Sequence, residues 1–199
     1  MTTEYHPIVR PDLDVDRVKR AMFEVISGIG EDPEREGLRE TPDRVARMYA
    51  EVFAGLRQDP LEVLRTGFEE GFDEMVVARD ISFYSMCEHH FLPFFGTVQV
   101  GYVPTGRIVG ISKLARVVDI LSRRPQVQER LTAQIANALV DGLEPMGVGV
   151  VVEAEHLCMA MRGVKKPGSK IITSVNRGVF RTDPRTRAEF LSLSGFSGH

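Results

Sequence analysis

Residues Gly147 to Met161 read GVGVVVEAEHLCMAM, the most strand-like run in the chain. Four of its first six positions are valine, whose branched Cβ suits a pleated, packed surface better than a helix. KIITSV (Lys170 to Val175) is its expected partner, and GVKKPGSK (Gly163 to Lys170) between them reads as a hairpin loop. That loop resembles a phosphate loop until its end, where Ser169 and Lys170 stand in reverse order. Residues two apart on a strand share a face, so His156 and Cys158 are expected to look into one space.

Working outward, TVQVGYVP (Thr97 to Pro104) and RIVGI (Arg107 to Ile111) read as strands joined by a turn at Pro104-Thr105-Gly106, and Glu74 to Phe83 as a strand leading into CEHH. Ser112 is expected to cap a helix from Lys113 to Ser122. Pro125 is expected to open another, with Val127, Leu131, Ile135, Leu139 and Leu143 as its apolar stripe and Gln128, Glu129 and Arg130 beside it. Upstream, Val18, Met22, Val25, Ile26 and Ile29 recur at helical spacing from Val15 to Ile29. After a charged loop, Thr41 as cap and Pro42 at the first position predict a second helix, on which Arg44 and Arg47 share a face. Taken alone, that pair is a solvated basic edge. Asp183-Pro184 starts a terminal helix with Phe190 and Leu193 expected to face inward. Helices followed by a strand-rich core define an α+β chain rather than alternating βαβ units. No internal repeat or low-complexity segment is visible.

With 199 residues, 43% hydrophobic and 27% charged, the composition is that of an ordinary soluble protein with room for a full core. No apolar run approaches a membrane span, and the start MTTEYHPIVRPDLD lacks a signal-peptide layout, so a cytoplasmic protein without membrane contact is expected. A net charge of −3 argues against a general nucleic-acid binder.

The chemistry concentrates at the two cysteines. Of five histidines, three lie within three residues of a cysteine: His89 and His90 follow Cys87, and His156 precedes Cys158. Cys and His together favour zinc, and Cys87-x-x-His90 has the reach for chelation. A closed structural site takes four ligands, a catalytic one three plus water; two cysteines with one or two histidines fit either. The surplus imidazoles favour catalysis, because an imidazole near a zinc-bound water carries protons well. Other metal and nucleotide patterns, H-E-x-x-H, P-C-x-x-C and G-x-G-x-x-G, are absent.

At these residues the sequence resembles the GTP cyclohydrolase I family, over nearly its whole length and in that family's order: GEDPEREGLRETPDRVARMY, DEMVVARDISFYSMCEHH, GYVPTGRIVGISKLAR, RRPQVQERLT, EHLCMAMRG and TRAEFL. The resemblance implies the tunnelling fold, an antiparallel four-stranded sheet with two helices on one face, preceded by an N-terminal helical region. It places the helical region at 1–72 and the catalytic region at 73–199, acting as one unit. It also implies a homodecamer with active sites between subunits, and hydrolysis of GTP to 7,8-dihydroneopterin triphosphate and formate on the way to folate-type or other pterins. For the site it implies zinc on Cys87, His90 and Cys158; proton transfer by His89 and His156, with Ser112 aiding the sugar rearrangement; guanine recognition by Glu129 and Gln128; and triphosphate binding by Lys113, Arg116, Arg162, Arg44 and Arg47. On its own, Glu129 is a solvated helix carboxylate. The short N-terminus implies no regulatory extension. Two alternatives remain beside it: a non-catalytic zinc module with four ligands, and a tunnelling-fold enzyme for a related purine or pterin.

Overall fold

The structure, a computed structural model, describes residues 11–196; most of the MTTEYHPIVRPDLD start lies outside these. Helix α1 (Val15–Gly28) is capped by Asp14, whose side chain accepts from Arg17 N at 2.9 Å. It packs on α2 (Thr41–Val52) and is tied to it by Lys19 and Asp43 at 2.5 Å. A 3-10 turn (Ala54–Arg57) and α3 (Pro60–Leu64) lead into β1 (Phe68–Phe72), β2 (Val76–Cys87), β3 (Pro93–Val103) and β4 (Gly106–Ile108). There follow α4 (Ile111–Ser122), β5 (Pro125–Gln126), α5 (Gln128–Leu143), β6 (Gly147–His156) and α6 (Leu157–Ala160). The chain closes with β7 (Lys170–Gly178), α7 (Val179–Thr182) and α8 (Pro184–Leu193). No described helix is long and apolar enough to cross a membrane.

The main sheet runs β5-β2-β3-β6-β7, with β2, β3, β6 and β7 each antiparallel to its neighbour and β5 a short parallel addition to the end of β2. The valine run becomes β6, an interior strand pairing Val152 with Val98 on one side and Thr173 on the other. It is valine-rich because both its faces are covered. Val148, Val150 and Val152 pack with Leu121, Leu131, Ile135 and Leu139 of α4 and α5, and Val151 packs with Phe180 and Phe190 from the chain's end. Glycine makes that second layer possible. A Cβ on Gly149 would stand 2.6 Å from Phe180 Cδ1, and one on Gly101 2.6 Å from Phe190 Cδ2. So α4 and α5 share one face, as expected, while α7 and α8 cover part of the other.

Several local expectations are corrected. Thr41 is inside α2 rather than its cap: its N–H already bonds Leu38 O at 2.8 Å, and Glu40 is itself helical. Ser112 is the second residue of α4, which starts from extended Gly110. RIVGI does not hairpin with the preceding strand; Gly106–Ile108 pairs with β1, forming a separate two-stranded ladder. Pro125 opens no helix but pairs with Met86, and α5 begins only at Gln128, because buried Gln126 pins the segment extended by donating to Leu121 O at 2.9 Å. β6 ends at His156 and Cys158 sits in the helical turn of α6, so strand alternation does not relate the two. Leu193 is 46% exposed, and Phe190 alone of the expected pair is buried.

Candidate metal centre and active site

Cys87 is the last residue of β2, and the CEHH segment curls back on it. Cys87 N donates to Leu92 O at 2.9 Å, and Phe91 N donates to Cys87 O at 2.8 Å. Phe91 closes this turn in the left-handed region, φ 52°. Two further ties hold the loop. Glu88 N donates to Gln126 O at 3.0 Å, and the Arg130 guanidinium forks onto the Glu88 carboxylate, Nη2 to Oε1 at 2.9 Å. The same guanidinium holds Glu88 below the usual carboxylate range.

Onto this loop α6 brings Cys158. Its Sγ lies 3.9 Å from Cys87 Sγ, and Cys87 Sγ lies 4.0 Å from His90 Nδ1. The three donor atoms fall within 4.8 Å of one another, and among the described residues no other Cys, His, Asp or Glu joins the group. Two thiols and an imidazole are borderline-soft donors that suit zinc, and three protein ligands are the catalytic rather than the closed structural number. Burial first, then the adjoining Cys87, pushes the Cys158 thiol above its ordinary range. A bound cation reverses that preference, since a coordinating thiol is deprotonated.

The two neighbouring histidines diverge: the His89 and His90 rings are 6.4 Å apart at 86°, and both side chains are exposed. His156 is held differently. Its ring stacks on Phe94 at 4.6 Å and 4°, and its Nε2 lies 2.8 Å from Gln128 Oε1. Burial pulls its pKa below the ordinary value, partly countered by the Glu129 carboxylate. Glu129 itself is exposed in the first turn of α5. Gln128, expected to read substrate, is engaged elsewhere. Its side chain is turned into the fold, only 2% exposed, with the amide nitrogen on Val152 O, Ile171 O and Thr173 Oγ1 at 3.1, 2.9 and 3.2 Å.

Of the five expected phosphate-binding cations only Arg162 touches the cluster, with Nη1 3.4 Å from His90 Nε2 and 3.2 Å from Cys158 O. Arg44 pairs with Glu40 at 2.7 Å on α2. Lys113 and Arg116 stand on α4 with exposed Ser112, and Arg116 lines a surface cleft with Gln58, Asp119 and Arg123. Sequence reasoning missed the residues that hold the site in place: Glu88 with Arg130, Phe94 under His156, and Thr132 with Thr173 beside Gln128. Only Thr132, four residues after Gln128 on one helix, left a local signal. The others meet through the sheet.

Fold and site together define an α+β protein with a Cys-His-Cys group able to hold a metal ion beside a stacked, half-buried histidine. Residues 18–195 match the family model described as GTP cyclohydrolase I, and the chain belongs to that family. A GTP cyclohydrolase 1 of Dehalococcoides mccartyi is 62% identical over 182 residues, 90% of this chain and 96% of the relative. Those of Acetivibrio thermocellus and Thermobifida fusca are 58% and 60% identical, covering 91% of this chain each and 97% and 88% of the relatives.

Proposed function

We propose that the protein hydrolyses GTP to 7,8-dihydroneopterin triphosphate and formate, with zinc held by Cys87, His90 and Cys158. The convergence of those three donors from β2, its loop and α6 carries this reading. Zinc supplies, when bound, a water acidic enough to ionise near neutral pH. The chain does the rest. His89, exposed and free of the donor cluster, hands a proton to N7 as the imidazole ring of the purine opens. His156, at the inner wall, moves protons on the formamide and ribose side, and Ser112 assists the sugar rearrangement. Glu129 accepts from guanine N1–H and the 2-amino group, leaving Gln128 the role of support rather than recognition.

Arg162 lies at the cluster, while Lys113, Arg116, Arg44 and Arg47 have no contact with it within one chain. That separation fits a site completed between subunits of a tunnelling-fold homodecamer, with the helical region 1–72 of one copy serving the catalytic region 73–199 of another as one unit. The experiment is direct: zinc-loaded protein is mixed with GTP, and formate and pterin fluorescence are followed. One formate per fluorescent pterin is expected; no formate release would sink the reading.

A further inference from the structure

The orientation of the Gln128 amide behind His156 is fixed by groups that can only accept. Gln128 Nε2 faces two backbone carbonyls, Val152 O at 3.1 Å and Ile171 O at 2.9 Å. A carbonyl has no hydrogen to give, so the amide NH2 must be on that side and a flipped amide would set oxygen against oxygen. The far end is fixed as well: Thr132 Oγ1 donates to the backbone carbonyl of Gln128 at 2.7 Å. With the Thr132 hydrogen spent there, the 2.6 Å contact between Thr132 Oγ1 and Thr173 Oγ1 takes its hydrogen from Thr173. Thr173 Oγ1 then receives Gln128 Nε2 at 3.2 Å through a lone pair. Two amide hydrogens serve three acceptors here, so the longest contact, to Thr173, is shared, and the amide's orientation rests on the two carbonyls. Gln128 Oε1 is therefore the acceptor that meets His156 Nε2 at 2.8 Å.

We infer that Gln128 is a positioning residue that fixes the tautomer of His156: the neutral imidazole carries its hydrogen on Nε2, and its lone pair is on Nδ1. Nδ1 is then the only ring nitrogen able to accept, and Phe94, stacked flat at 4.6 Å, holds the plane in which that lone pair lies. The assignment of the tautomer stands on the chain alone; only its catalytic consequence rests on the reading of His156 as a proton carrier for GTP. Burial suits this role, because a buried amide with all its polar atoms engaged holds one orientation where a solvated one would turn.

The test is magic-angle-spinning NMR of the intact zinc-loaded protein with 15N-labelled histidine, at a pH where the ring is neutral. The His156 signal, one of five histidines, is identified by its disappearance in His156→Asn. A protonated Nε2 and an unprotonated Nδ1 are expected; the opposite pattern overturns the inference without any Gln128 variant being needed. In Gln128→Met the single tautomer should give way to a mixture, and kcat for GTP should fall about tenfold or more with little change in KM. A raised KM with the wild-type tautomer intact would instead make Gln128 a substrate reader and refute the positioning role. If the wild-type protein does not turn GTP over, the proposed function fails while the nitrogen spectrum still decides the tautomer.

Discussion

His89 and His90 are consecutive in the chain and point apart, 6.4 Å between rings, which separates their fates at the residue scale. His90 shares the cluster with Cys87 and Cys158, so His90→Ala, like Cys87→Ala or Cys158→Ala, should lose zinc and activity together, two remaining ligands holding the ion poorly. His89→Ala should keep about one zinc per chain and lose roughly 100-fold or more in turnover, the usual worth of a positioned acid or base. Metal content by atomic emission beside formate release for each variant decides it. A zinc-free His89→Ala with a zinc-loaded His90→Ala would reverse the two roles. Glu129 is the second residue-scale commitment. Glu129→Gln presents a single acceptor where guanine offers two donors, so kcat/KM for GTP should fall by about 10- to 100-fold with the fold intact. Wild-type kcat/KM would end its assignment to guanine.

At the scale of elements, the terminal helices are held to the sheet by two rings. Phe190 is 1% exposed and meets Phe180 edge-on at 5.4 Å over Gly101 and Gly149. Truncating a buried ring of this kind typically costs about 3 to 5 kcal/mol. Phe190→Ala should therefore lower the urea midpoint markedly while leaving zinc content unchanged, since the metal loop does not touch that layer. An unchanged midpoint would mean that α7 and α8 do not cover the sheet. The junction of the helical region behaves in a stricter way. Gly55 N donates to Arg123 O at 3.1 Å, and a Cβ at Gly55 would stand 1.9 Å from Ile120 O. Overpacking against rigid backbone costs about 1 to 3 kcal/mol or more, so Gly55→Ala should melt earlier than wild type by calorimetry. Equal melting temperatures would show that the 3-10 turn can move away from the end of α4.

For the whole molecule, a single chain brings one of five expected phosphate-binding cations to the metal cluster, so full activity should require assembly. A variant held as a monomer should fold in part and release no formate; a light-scattering mass of one chain with full activity would refute the composite site. The sequence by itself determined the α+β class, the strand at the valine run, its partner at Lys170 to Val175, the stripe Leu131, Ile135, Leu139 and Leu143 that became the buried face of α5, and the family to which the chain belongs. It could do so because periodicity and short motifs are local, and local pattern survives whatever the rest of the chain does. Only the tertiary structure decided that Pro125–Gln126 is a strand, because its partner Met86–Cys87 is far along the chain and a parallel pairing leaves no periodicity to read. It decided too that His156 and Cys158 part company, one ending β6 and the other lying in a helical turn that carries its thiol to Cys87. And it turned Gln128 from a residue beside a substrate into one behind a histidine, because a side chain's direction depends on which carbonyls and hydroxyls the sheet presents to it, here Val152, Ile171 and Thr173 on two strands that follow it in the chain.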